Sequence, residues 1–258
     1  MFDHLVIDES PASGDESVPD LRGEPYLDVL ARLHRMLRPK TYLEVGSRTG
    51  DSLALADCAS VAIDPDFNLT PDFFGTKSRC ALYRMTSDEF FAAIDPPTVL
   101  GGPIDLAFLD GMHLAEFLLR DFMNTERHCK RNSVIAMHDC VPVEIQVARR
   151  VEHDLVAAAR SMHPNWWTGD VWKVIVMLKK YRPALRIHAI DAHPTGLILV
   201  TGLDPASSDL SDGYFDIVDE MRTLSLESVG VGGYHAMLQP MSTGALARFE
   251  DVAQLFWL

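Results

Sequence analysis

The chain has 258 residues, 47% of them hydrophobic and 23% charged, which is apolar material for a large core and a length suited to one α/β domain with additions. Its formal net charge is −14, and a field of that sign repels phosphate backbones, so nucleic acid is not expected as the main partner. Cys58, Cys80, Cys129 and Cys140 form no C-x-x-C pair, no apolar run reaches membrane-spanning length, and the first twenty residues carry six acids without Lys or Arg. A cytoplasmic protein with reduced thiols and no membrane contact is the expectation.

Residues 1–23 are expected to be a mobile acidic tail, through Ser10-Pro-Ala-Ser-Gly-Asp-Glu-Ser17. Tyr26, Leu27, Leu30, Leu33 and Leu37 then recur at helical spacing and Pro39 closes the segment, which predicts a covering helix ahead of the first strand. Thr41 to Gly46 reads as an apolar strand running into a glycine turn, with a helix expected from Ser52. Gly46 and Gly50 are free to take positive φ there, and a helix start near Asp51 and Ser52 would present unpaired N–H groups. The spacing Glu44-x-Gly46-x-x-x-Gly50 is neither the dinucleotide pattern nor a P-loop, so phosphate is not the obvious ligand.

Val61 to Asp64 is a second strand ending in a carboxylate able to accept the hydroxyls of a ribose. Ala81 to Arg84 is a third, and Thr86, Ser87 and Asp88 after it suit either an adenine edge or the cap of the next helix, with the cap the plainer reading. Ile104 to Asp110, a helix from Leu114 to Cys129, and Ser133 to His138 follow. Strands alternating with helices imply right-handed crossovers and a parallel sheet. Leu185 to Asp191 and Leu197 to Thr201, joined by His193-Pro-Thr-Gly196, suggest an antiparallel last strand.

These motifs, in this order, resemble class I S-adenosylmethionine-dependent methyltransferases, in particular the small-molecule O-methyltransferases of methyltransferase family 24. Leu43-Glu-Val-Gly-Ser-Arg-Thr-Gly-Asp-Ser52 is similar to the cofactor motif, Ala62-Ile-Asp-Pro65 to the ribose motif, Asp105-Leu-Ala-Phe-Leu-Asp-Gly-Met-His113 to the fourth strand with its acidic tip, and Val134-Ile-Ala-Met-His-Asp139 to the fifth. The resemblance covers roughly residues 24 to 205. It implies a Rossmann-like α/β fold, a mostly parallel seven-stranded sheet with an antiparallel last strand and helices on both faces. Residues 24–210 would be the methyltransferase domain, and 211–258 a helical extension with one amphipathic helix and the aromatic end Leu255-Phe-Trp-Leu258, packed on the domain or on a second subunit of a homodimer.

The same resemblance implies S-adenosylmethionine on Glu44, Gly46, Ser47, Gly50, Ser52, Asp64, Ser87, Asp88 and Asp110: Gly46 under the methionine part, Ser52 on its carboxylate, Asp64 on the ribose, Ser87 or Asp88 on adenine. Side chains at strand tips share one crevice in an open α/β sheet, and Asp110, His113, His138, Asp139 and Cys140 all fall there. Asp110 and Asp139 match the acids that hold a divalent metal in catechol-type and macrolide-sugar O-methyltransferases; His138 is the candidate third ligand in this chain, where the first group has Asn at position 140 and the second Glu at position 138. Neighbours on a regular strand point to opposite faces, so His138 and Asp139 can converge on one ion, Mg or Mn, only where the strand has turned into loop.

Asp110-x-x-His113 matches the macrolide-sugar enzymes, in which that histidine is the base; an imidazole near pKa 6.5 suits removal of a hydroxyl proton, and a helix-start cap is the plain alternative. Pro164-Asn-Trp-Trp-Thr-Gly-Asp-Val-Trp-Lys173 either stacks rings over a ligand or anchors the following helix through Trp166 and Trp172. Arg149-Arg150 and Lys179-Lys180-Tyr-Arg182 read as solvated helix faces. The expected function is O-methylation of a small hydroxylated metabolite or glycosyl group. A nicotinamide-dependent Rossmann oxidoreductase and a non-catalytic S-adenosylmethionine-binding module are the rivals.

Overall fold

A computed structural model describes residues 17–70 and 72–256 of the chain. Seven strands form one sheet: β1 (Thr41–Val45), β2 (Ala59–Ile63), β3 (Cys80–Tyr83), β4 (Ile104–Leu109), β5 (Cys129–His138), β6 (Arg186–Ile190) and β7 (Leu197–Thr201). Their order is β3-β2-β1-β4-β5-β7-β6, with β7 antiparallel to both neighbours and every other pairing parallel. This is the Rossmann-like α/β sheet expected from the sequence, mostly parallel and seven-stranded, with the antiparallel last strand where the sequence places it.

Both faces of the sheet are covered, as a parallel sheet requires. Leu43, Val45, Ala107, Leu109, Ile135 and Met137 face one layer, which includes α4 (Ala115–Glu126) and α6 (Trp172–Tyr181). Tyr42, Leu106, Phe108, Val134 and Ala136 face the other, built on α1 (Tyr26–Leu37) and α11 (Phe249–Phe256). The alternation decides which tip residues can meet: Glu44, Asp110 and His138 continue the α1 side.

Several expectations change. The helix expected from Ser52 is a single 3₁₀ turn, Leu53–Leu55, because residues 46–58 are all that join β1 to β2, close to the minimum for a parallel crossover. Part of the expected tail is docked: Ser17 bridges Glu144, Val18 N donates to Val143 O at 2.8 Å and Leu21 is buried, so backbone pairing holds residues 17–23, while 1–16 lie outside the described residues. The extension holds α7 (Asp209–Asp212), α8 (Tyr214–Thr223), α9 (Leu226–Val229), α10 (Val231–Leu238) and α11 rather than one helix, with Gly213 and Gly230 at its breaks. Trp257 and Leu258 lie outside the described residues. Arg182 is not on a solvated face; it is buried and pairs with Glu126 through two bonds of 2.6 and 2.8 Å, tying the end of α6 to the end of α4.

His34, on the buried stripe of α1, gives a pH signature. Its ring meets Tyr42 edge-on at 4.8 Å, neither ring nitrogen has a hydrogen bond, and burial, aided by the Lys77 charge, pushes its pKa down to about 4. An unfolded imidazole titrates near 6.5, so between pH 6.5 and 4 the unfolded chain takes up a proton that the folded chain refuses. This share of stability is complete above pH 6.5 and is lost as pH falls toward 4, by about 3 kcal/mol in full at 1.36 kcal/mol per unit. In urea titrations His34→Leu is expected to flatten the fall in midpoint over that interval; an unchanged slope would show that the cost lies elsewhere.

Candidate active site

Register aligns the strand ends. Val45 pairs with Ile63 and Leu109, and Leu109 with Met137, so Gly46, Asp64, Asp110 and His138 leave the sheet at one level. The turn after β1 is fastened there: Gly46 N donates to Ile63 O at 2.9 Å, and Asp110 N donates to Val45 O at 2.9 Å. Gly46 has φ +88, and a Cβ on it would lie 2.0 Å from the Asp110 carbonyl oxygen. Close approach by the chain's own backbone is thus a sufficient reason for this glycine.

Several expected cofactor contacts are taken up inside the fold. Glu44 is fully buried and accepts from Tyr42 Oη at 2.5 Å and Ser52 Oγ at 2.9 Å; burial pushes its pKa up to about 7 against the pull of these hydroxyls and of Ser47. Ser52 is therefore engaged beneath the turn, and Gly50, at φ +84, closes it by donating to Ser47 O at 2.6 Å. The carboxylate of Asp64 receives Arg48 N at 2.8 Å and Asp66 N at 2.7 Å, one on each oxygen. Thr86 caps α2 (Ser87–Ala93) in a capping box with Glu89, as the plainer reading had it. Ser87 bonds the buried Asp121, and Asp88 is gripped by Arg120 through contacts of 2.8 and 2.7 Å.

The four tip residues do come together. Asp110 and His138 are lateral neighbours on the α1 face, with Nδ1 of His138 3.4 Å from Asp110 Oδ1. Asp139 should face the other way, but its φ is +58, and that left-handed turn swings its carboxylate back to 3.5 Å from His138 Nδ1. His113 reaches in from the loop after β4, its Nε2 3.4 Å from Asp110 Oδ1 and 3.2 Å from Asp139 Oδ2. Burial opposes charge on both imidazoles, yet the two carboxylates outweigh it, pushing His113 up to about 9 and raising His138 as well. The histidines in turn hold Asp110 below the usual carboxylate range, although burial alone would raise it.

Three further residues shape this cluster. Tyr26, expected only as part of a covering stripe, lays its ring on His138 with centroids 4.0 Å apart. Thr195 donates its hydroxyl to Asp139 Oδ1. Trp167 tilts over His113 at 4.8 Å, and its carbonyl lies 3.1 Å from His113 Nδ1, which turns Nε2 toward the carboxylates. Trp172 is the core anchor, and Trp166 stacks on His163 at 3.9 Å, so within this tryptophan-rich stretch it is Trp167 that covers the cluster. No sequence periodicity marks Thr195 or Trp167.

One ligand atom each from Asp110, His113 and Asp139 lies within 4.8 Å of the others, a set that a cation could occupy. His138, the third ligand expected from the sequence, also faces this set, with Nδ1 3.4 and 3.5 Å from the same two carboxylates. The donors fit a divalent cation on a further ground: Asp110 Oδ1 and His138 Nδ1 are buried and meet only at 3.4 Å, outside good hydrogen-bond geometry. Two carboxylates with imidazole suit Mn, Fe or Zn better than Mg.

Residues 43–140, the span from β1 through the four tip residues, match the family model Methyltransf_24, described as a methyltransferase domain. Over that span the chain is similar to a methyltransferase domain. Solved structures similar to it include cofactor-bound Rv0187 from MTB (18% identity, 68% of this chain and 78% of that one, TM-score 0.48). The O-methyltransferase TomG from Streptomyces achromogenes, in complex with SAM, is 17% identical over 71% of this chain and 82% of its own, with TM-score 0.45. The SAH-bound methyltransferase PaMTH1 from Podospora anserina is 14% identical over 69% and 78%, with TM-score 0.48. No curated protein matches the chain. Within the matched span the turn after β1 and the Asp110 to Asp139 cluster occupy the same edge of the sheet, and no helix among the described residues is long and apolar enough to cross a membrane.

Proposed function

We propose that the methyltransferase domain moves the methyl group of S-adenosylmethionine onto a hydroxyl of a small metabolite or glycosyl group. The observation that carries this reading is the convergence of Asp110, His113, His138 and Asp139 beside the turn after β1. Methyl transfer to oxygen needs the acceptor held in line with the sulfonium and relieved of its proton. His113, partly exposed, would take that proton at Nε2, its Nδ1 being turned to the Trp167 carbonyl. Its elevated pKa means that the carboxylates must first be neutralised by something other than its own proton.

A divalent cation on Asp110 and Asp139, with His138 Nδ1 completing the set and His113 Nε2 left free, would supply that charge and acidify the acceptor hydroxyl. Asp110 and Asp139 would orient it, Thr195 would hold the Asp139 carboxylate in place, and Tyr26 and Trp167 would limit water at the two histidines. The oxidoreductase rival is disfavoured by the local backbone. After Gly50 the chain makes one 3₁₀ turn, so the long helix N-terminus that would receive a dinucleotide pyrophosphate is missing from the described residues.

Cofactor binding is the direct test. In calorimetry S-adenosylmethionine and S-adenosylhomocysteine are expected to bind the parent, and Asp64→Ala to weaken both about tenfold or more. Such a charged hydrogen-bonding group contributes about 1.5–3 kcal/mol, and the 48–66 loop contacts go with it. Equal affinity in the variant would remove Asp64 from the site, and no binding by the parent would sink the reading itself.

A further inference from the structure

A cavity of ≈ 400 Å³ opens between residues 145–150, α5 (Leu155–Arg160) and α9. It shares no lining residue with the Asp110–His113–His138–Asp139 cluster. Its size is that of a small-molecule pocket.

The charges around it are unevenly matched. Arg150 and Lys173 are spent on Glu116 and Asp170, and Asp154 is spent capping the Val156 and Ala157 N–H groups. Arg149 is half-buried, and its guanidinium donates only to the carbonyls of Gln146, Glu152 and Trp166, at 2.9, 3.1 and 2.9 Å. Arg160 is exposed and has no hydrogen bond or ion pair among the described residues. These two cations face one comparably free acid, Glu227, on a chain whose net charge is −14.

The wall beside these cations is apolar and uncovered. No residue of α5 is buried; Leu155 is 80% and Val156 66% exposed, with Val151 and Met162 on either side at 64% and 60%. Val156 lines the cavity itself, across from Leu226. Exposed apolar side chains gathered on one segment beside a cationic cavity are the signature of a surface meant to be covered.

We infer that this cavity binds an organic anion with an apolar body, its acid head on Arg149 and Arg160 and its body against Val156 and Leu226. The site has a physical link to the cluster: the Arg149 carbonyl accepts Trp167 Nε1 at 2.8 Å, and Trp167 covers His113.

Anilinonaphthalene sulfonate and decanoate are suitable probes on the intact chain. The sulfonate's emission is expected to rise saturably, decanoate to displace it, and decanol, with the same body and no charge, to displace it at least tenfold more weakly. Arg160→Glu and Val156→Asp, both at exposed positions, should each weaken the two anions about tenfold or more with melting temperature unchanged. Absence of saturable binding by the parent, displacement by decanol equal to that by decanoate, or unchanged anion affinity in the two variants overturns the inference. Loss of S-adenosylmethionine binding with anion binding intact would strike the methyl-transfer reading alone.

Discussion

His113→Ala is expected to slow methyl transfer by about 10²–10⁴-fold, the range for a positioned general base, while S-adenosylmethionine affinity stays close to that of the parent. The separation follows from position. His113 stands with Asp110 and Asp139, and the hydrogen bonds that fix Glu44 and Asp64 come from other residues. Its removal leaves Gly46 locked against Asp110 and the loop at Asp64 intact. The measurement is transfer of labelled methyl from S-adenosylmethionine into a fractionated extract of hydroxylated metabolites, with calorimetry of the cofactor in parallel. His113→Gln, which keeps a polar side chain but not a titrating one, should be as slow as the alanine variant. A parent rate in both variants would move the proton to another acceptor and leave His113 as a lid residue under Trp167.

The frame that carries these residues was readable because its signals are local and repeated. Apolar strands, glycine turns and acidic tips recur at crossover spacing, and only a parallel sheet satisfies all of them. Asp110 beside His138 was readable too, since strand alternation and lateral register put both on the α1 face. Asp139 was not. Its convergence depends on φ +58 at a non-glycine residue, a conformation imposed by the contacts around it and unmarked in the chain.

The same distinction accounts for what changed elsewhere. Ser52 looked like a helix start because its neighbours are good caps, but the distance from β1 to β2 left room for one turn. Arg182 sits in a run of cations that resembles a wet surface, and only the packing of α6 on α4 brings Glu126, 56 positions away, to bury it. Tyr26 has the spacing of a core position and lies about one helical turn before the fully packed stripe, at the helix end where the crevice opens. Residues whose role depends on a partner far along the chain carry no local periodicity, and the site is built mainly from such pairs.

Asp139→Asn should produce the second large effect, and it separates a metal-assisted reaction from a purely basic one. Asn keeps the shape and a contact to Thr195 but removes one of the two negative charges on which the two histidines and any cation depend. Turnover is expected to drop on the order of 10²-fold or more, since Lewis-acid stabilisation is a matter of several kcal/mol, and Mn²⁺ binding followed by calorimetry should weaken in step. Chelation of the parent should reproduce the loss and added Mn²⁺ should restore it. The two experiments fail differently. A chelated parent that keeps full turnover after exhaustive dialysis, together with an Asp139→Asn variant that does not, would mean that the carboxylate acts on His113 directly and that no cation takes part. Parent turnover in both would leave the buried pair of Asp110 and His138 without a catalytic role, and its burial would then be a cost the fold bears for another reason.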